Sequence, residues 1–113
     1  LAARNQDDHV KNIAFLMRPD GNWSLAPAYD LTWAMGGRWT MNHQMTLRGK
    51  GDGFTRSDLL AVGDMFDVRR GGRDALDAVA SALTTWRDEA RAAGLAAPLI
   101  YDIEATFRHF EAA

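Results

Sequence analysis

The sequence contains no cysteine. Disulfides, zinc-thiolate centres and thiol nucleophiles are therefore excluded, and a reducing cytoplasm is the compartment expected for the chain. No apolar run approaches the roughly 20 residues that span a bilayer. Nor does any stretch combine a charged start with an apolar centre in the manner of a signal peptide, so no membrane partner is expected. Positive charge is not in excess either. The formal net charge is -2 and the isoelectric point about 5.9, leaving no global field to attract nucleic acid. Contact with DNA is expected only weakly or indirectly, and any phosphate contact must be local. Internal repeats, low-complexity segments and interdomain linkers are also lacking.

What remains is ordinary globular composition, 47% hydrophobic and 25% charged over 113 residues, the size of one domain. Such a chain buries somewhat over roughly 60% of its unfolded surface, so folding needs no metal or disulfide staple. The chain starts at Leu1, and its chemically richest stretch, Arg4 to Asn12, lies almost at that end. A fragment of a longer polypeptide is the expectation.

Leu1 to Asn5 reads as the last turn of a helix, followed by a polar loop from Gln6 to Asn12. Ile13 to Met17 is an apolar run of strand length, Arg18 to Asn22 combines Pro with Asp-Gly, and Trp23 to Leu25 resumes the apolar pattern. These features predict a β-hairpin. Pro27 limits further pairing, so Ala28 to Leu31 should leave it as an extended segment. Residues 32 to 53 read as a long irregular loop with one short strand near Gln44 to Leu47. Thr55 or Ser57 can cap a helix running to about Phe66, and Gly71 and Gly72 then break the chain. Asp74 to Ala93 gives the clearest helix, with Leu76, Val79, Leu83, Trp86 and Ala90 at helical spacing and Gly94 as its stop. Ile100, Ile103, Phe107 and Phe110 give a terminal helix one apolar face, core by default. The class predicted is α+β, mainly α.

Chemistry concentrates in Asp7, Asn12 and Asp30. Asp8, His9, Val10 and Lys11 separate the first two, and the predicted hairpin folds Asp30 back beside Asn12. Phosphoryl transfer in protein kinases needs a carboxylate to accept the hydroxyl proton, then an Asn and a further Asp to hold magnesium against the phosphates. Magnesium prefers oxygen ligands and keeps several waters, which one Asp and one Asn allow. Asp7 would remain free of the metal. A carboxylate is a weak base, so orientation contributes more than proton affinity.

Asn5 to Asn12 (NQDDHVKN) followed by Leu25 to Leu31 (LAPAYDL) resembles HipA-type serine/threonine kinases, the toxin component of HipA/HipB modules. Leu31 and Thr32, where other protein kinases have Phe-Gly, argue for this branch. Met45 to Lys50, Thr55 to Phe66 and Ile103 to Phe107 resemble the family's continuation, so the likeness covers nearly the whole chain. The resemblance implies Asp7 as catalytic base, Asn12 and Asp30 as magnesium ligands, and Lys11, Asn12 and Asp30 as the residues binding ATP as co-substrate. It further implies the C-terminal part of a kinase-like C-lobe. Residues 1–53 would form the catalytic loop and metal hairpin, and residues 54–113 a helical bundle behind it. A protein substrate and a HipB-type antitoxin are the implied partners.

A Gly-rich phosphate loop and a strand Lys paired with a helix Glu are absent from these residues. The isolated chain is accordingly expected to be inactive, because positioning and electrostatics supply most of the rate in this chemistry.

Other features have plainer readings. Asp7 and Asp8 taken alone would be a solvated acidic pair, and a lone His9 a loop brace. Lys11 either steadies a phosphate or faces solvent. Trp23, Trp33, Trp39 and Trp86 are scattered and favour core and interface packing over a stacking surface. Arg48 and Lys50 suggest a flexible charged loop, and Arg69, Arg70 and Arg73 a solvated helix start. The terminal apolar face, if left partly exposed, would drive self-association. Two other functions remain open, a non-catalytic helical module binding an antitoxin or DNA partner, and one-metal hydrolase chemistry.

Overall fold

The computed structural model describes residues 1–110, so the last three positions of the expected 54–113 scaffold lie outside the described residues. Its elements are strands β1 (Phe15–Met17) and β2 (Trp23–Leu25) and helices α1 (Arg56–Met65), α2 (Arg73–Leu83), α3 (Trp86–Ala92) and α4 (Ala97–Glu104). The chain is thus α+β and mainly helical, as expected.

The hairpin follows from its turn. The Asp20 carboxylate accepts from the Asn22 backbone N–H at 3.0 Å, Gly21 adopts a left-handed φ of 85°, and the Arg18 N–H closes on the Asn22 carbonyl at 2.9 Å. These contacts set the antiparallel register Phe15 to Leu25, Leu16 to Ser24 and Met17 to Trp23. Alternation then places Phe15, Met17, Trp23 and Leu25 on one face. All four are largely exposed, so Trp23 does not pack in a core, and neither does Trp39.

At α1 the cap is Thr55, whose hydroxyl accepts from the Asp58 N–H while the Asp58 carboxylate accepts from the Thr55 N–H at 2.9 Å. Removing that hydroxyl with Thr55→Ala should cost about 1 kcal/mol, read as a lower urea midpoint with unchanged slope.

The long helix expected from Asp74 to Ala93 is two helices. The Thr84 and Thr85 hydroxyls donate to the Ser81 and Ala82 carbonyls at 2.7 and 2.9 Å. The matching N–H groups bond three residues back instead of four. Hydroxyls competing for helix carbonyls tighten the turn and end α2 there. The apolar stripe of α2 is also less buried than its periodicity suggested. Leu76, Val79 and Leu83 line a cavity of about 690 Å³ shared with Leu1, Phe107 and Phe110.

The terminal helix stops at Glu104, where the Thr106 hydroxyl bonds the Ile103 carbonyl at 2.6 Å. Phe107 is buried but lies past the helix end, and the Arg108 N–H pairs with the Ala2 carbonyl at 2.9 Å. The Ile100, Ile103 and Phe107 face is therefore core, as expected. Trp86 caps this core, donating its indole N–H to the Ile100 carbonyl at 3.0 Å.

Two further expectations fail. Leu1 to Asn5 forms a turn that ends at a left-handed Arg4, φ 57°. The strand near Gln44 to Leu47 is reduced to one bridge between Leu47 and Lys50, because Arg48 and Gly49 turn the chain back at once with φ of 53° and 77°. Among the described residues, no helix is long and apolar enough to cross a membrane.

Candidate functional site

The loop before the hairpin is fixed by main-chain contacts to the segment after it. Asn5 pairs with Ala34 in a parallel bridge, and the Gln6 N–H donates to the Ala34 carbonyl at 2.9 Å. Gln6 itself is fully buried, its amide donating to the Thr40 carbonyl at 2.6 Å. Alternation then turns Asp7 outward to solvent and Asp8 inward.

From Asp7 onward the chain coils tightly. The Asp7 carbonyl accepts from the His9 N–H at 3.1 Å and from the Asn12 amide at 3.2 Å, and Val10–Asn12 forms a single 3-10 turn. The Tyr29 hydroxyl donates to the Lys11 carbonyl at 2.6 Å, and the Asn5 amide donates to the Asp30 carbonyl at 2.9 Å. Asn5, Asn12 and Tyr29 thus tie together the backbones of residues 7, 11 and 30. Asp30 is left-handed, φ 54°, a conformation Asp tolerates better than most residues and that recurs at functional sites.

The carboxylates differ sharply in what they touch. Asp8, Asp20, Asp52 and Asp58 each hold hydrogen bonds. The side chains of Asp7, Asp30 and Lys11 have no hydrogen-bond or ion-pair partner among the described residues, and all three are exposed. Asn12 is half-buried, and with its Nδ2 spent on Asp7 its Oδ1 remains available as an acceptor. Among the described residues no group of three or more His, Cys, Asp or Glu is placed to hold a metal alone. A cation here would take one Asp and one Asn oxygen and complete its shell with water or phosphate, which is how magnesium is commonly bound.

This arrangement coincides with a family assignment, since the model of the HipA-like C-terminal domain matches residues 1–103. The chain belongs to that family. No curated protein and no solved structure matches the chain significantly.

Within this HipA-like domain several residues act in ways the sequence did not announce. Asp8 is no solvated acid. Its Oδ1 accepts from the Gln44 N–H at 2.8 Å and its Oδ2 from His43 Nδ1 at 2.9 Å. Arg48 and Lys50, expected to be mobile, both reach Asp58, at 3.7 and 2.7 Å. The Lys50 ammonium, with help from Thr55, holds the Asp58 carboxyl well below the usual carboxylate range. The basic cluster is partly engaged, Arg70 pairing with Asp74 at 2.6 Å. His9 is half-buried, and its Nδ1 is enclosed with no partner among the described residues. Asn5 and Tyr29 lie inside the two motifs, but only their contacts reveal their part in joining them.

Proposed function

We propose that this HipA-like domain supplies the catalytic loop and metal ligands of an ATP- and magnesium-dependent serine/threonine protein kinase. The observation that carries the reading is the set of free oxygens. Asp7 and Asp30 are the carboxylates left unsatisfied on a loop and a post-hairpin segment tied together by Asn5, Asn12 and Tyr29. Asp67, Glu89 and Asp102 are exposed and unpaired as well; what sets Asp7 and Asp30 apart is that their segments are joined beside the Asn12 amide oxygen.

In this reading Asp7 orients and deprotonates the substrate hydroxyl. Asn12 Oδ1 and the Asp30 carboxylate hold magnesium, which neutralises charge on the phosphates, and Lys11 contacts a phosphate oxygen. The phosphate-gripping elements come from polypeptide outside this chain, so the chain alone transfers no phosphate. The acceptor is a protein in the cytoplasm, and a HipB-type antitoxin is the partner that restrains the toxin.

The metal half of the proposal can be tested on the 113-residue chain. Titrated Mn²⁺, a paramagnetic stand-in for magnesium, should broaden the amide signals of Asn12 and Asp30, and Asp30→Ala should abolish the effect. Unselective broadening, or broadening that survives Asp30→Ala, would remove the reading. In a longer polypeptide that binds ATP, Asp7→Ala should lower turnover by about 10²- to 10⁴-fold.

A further inference from the structure

We infer that Asp8 is a positioning residue for the loop carrying Asp7 and Asn12, held by a neutral His43 whose tautomer is dictated by Arg108. The inference deepens the kinase reading and rests on it.

The connection is continuous from the site to the far end of the chain. Asp8 takes the Gln44 N–H on one oxygen and His43 on the other. The His43 ring is fully enclosed and packs edge to face with Phe54, 5.2 Å between centroids. On its other side His43 Nε2 lies 2.8 Å from Arg108 Nη1. A guanidinium cannot accept a hydrogen bond, so Nε2 must accept, and the ring proton must sit on Nδ1 and point at Asp8. Arg108 is fixed in turn by Asp52, by the Leu1 carbonyl and by stacking over Phe54.

Asp7 has no anchor of its own, being exposed and unpartnered. Its orientation is set by its two neighbours in the chain, Gln6, bonded to Ala34 and Thr40, and Asp8, bonded to Gln44 and His43. Outer groups of this kind orient the residues that hold a metal or a reacting atom, and losing them typically weakens metal binding by about 10- to 100-fold.

The neutral state of His43 has an electrostatic basis. Asp8 faces it from the loop and Arg108 from the C-terminal segment, with Asp52 and Arg4 beyond Arg108. Burial lowers the His43 pKa most, Arg108 lowers it further, and Asp8 opposes them without prevailing. Protonation would set a ring N–H against a guanidinium with no acceptor between them. The unfolded chain therefore binds the extra proton more readily. The contribution of this contact is complete above the ordinary histidine value of about 6.5 and is lost as pH falls through the lower folded value.

The experiment uses the 113-residue chain and nuclear magnetic resonance. At pH 7.5 the imidazole nitrogen shifts should report the Nδ1–H tautomer. On acidification the Asp7 and Asn12 amides should move with the His43 ring at one midpoint below about 6.5. His43→Asn keeps a donor where Nδ1 stands, so the loop signals should stay near their original positions and lose the pH step. His43→Gln keeps an acceptor for Arg108 but no donor to Asp8, so it should shift the loop amides and weaken Mn²⁺ binding by about tenfold.

An Nε2–H tautomer would overturn the inference, as would loop amides that ignore the His43 titration or that are unmoved in a folded His43→Gln. If the Gln variant fails to fold, the wild-type tautomer and pH step still decide. Loss of the kinase reading would look different: no Mn²⁺ effect at Asn12 or Asp30, with the tautomer and pH step intact.

Discussion

Gly63→Ala should destabilise the fold by about 3 kcal/mol, enough to lower the urea midpoint substantially. Gly63 lies in α1, where alanine ordinarily stabilises a helix by about 1 kcal/mol over glycine. Here the sign reverses because of what a Cβ would meet. It would stand 2.2 Å from the Gly71 carbonyl oxygen and 2.5 Å from the Gly71 carbonyl carbon. These are backbone atoms and cannot swing aside as a side chain would. The segment they belong to is pinned, with the Val68 N–H on the Gly63 carbonyl at 2.8 Å and the Gly71 N–H on the Val68 carbonyl at 2.7 Å. Relieving the clash means moving the whole turn against α1. Gly63→Ala with an unchanged midpoint would mean that α1 and the 69–72 turn do not meet as described.

Ile100→Ala should cost about 3 kcal/mol, within the usual range of about 2 to 5 for emptying a tightly packed site. Ile100 is 1% exposed, and its carbonyl anchors the Trp86 indole. Collapse around the void is resisted on two sides, by the Trp86 and Phe107 rings, which meet edge to face at 5.5 Å, and by buried Ile103. A domain of this size is stabilised by only about 5 to 15 kcal/mol, so thermal unfolding should begin well below the wild-type temperature. Leu99→Ala, one position along on the exposed side of α4, should change the midpoint little. Equal effects at the two positions would contradict the packing of α4.

The hairpin was legible because its determinants lie within eleven consecutive residues, Phe15 to Leu25, with Asp20 and Gly21 closing the turn in register. The start of α1 was legible for a similar reason, since Thr55 and Asp58 bond each other three positions apart. The helix from 74 to 93 was misread because apolar periodicity does not register two adjacent threonine hydroxyls bonding back to Ser81 and Ala82. Arg48 and Lys50 looked free because their partner, Asp58, lies beyond the loop in the next helix, a contact no local spacing announces.

The sequence by itself determined the chemistry available, placing Asp7, Asn12 and Asp30 around a hairpin whose turn is encoded locally. It could not say which of two adjacent acids faces solvent, because that depends on Gln6 bonding to Ala34 and Thr40. Nor could it join Asp8 to His43 and His43 to Arg108, across separations of 35 and 65 residues. Short-range hydrogen bonds follow from spacing. Long-range ones exist only after burial has brought their partners together and removed the water that would otherwise satisfy them, and tertiary structure alone decides which carboxylate is spent on the scaffold and which is left exposed.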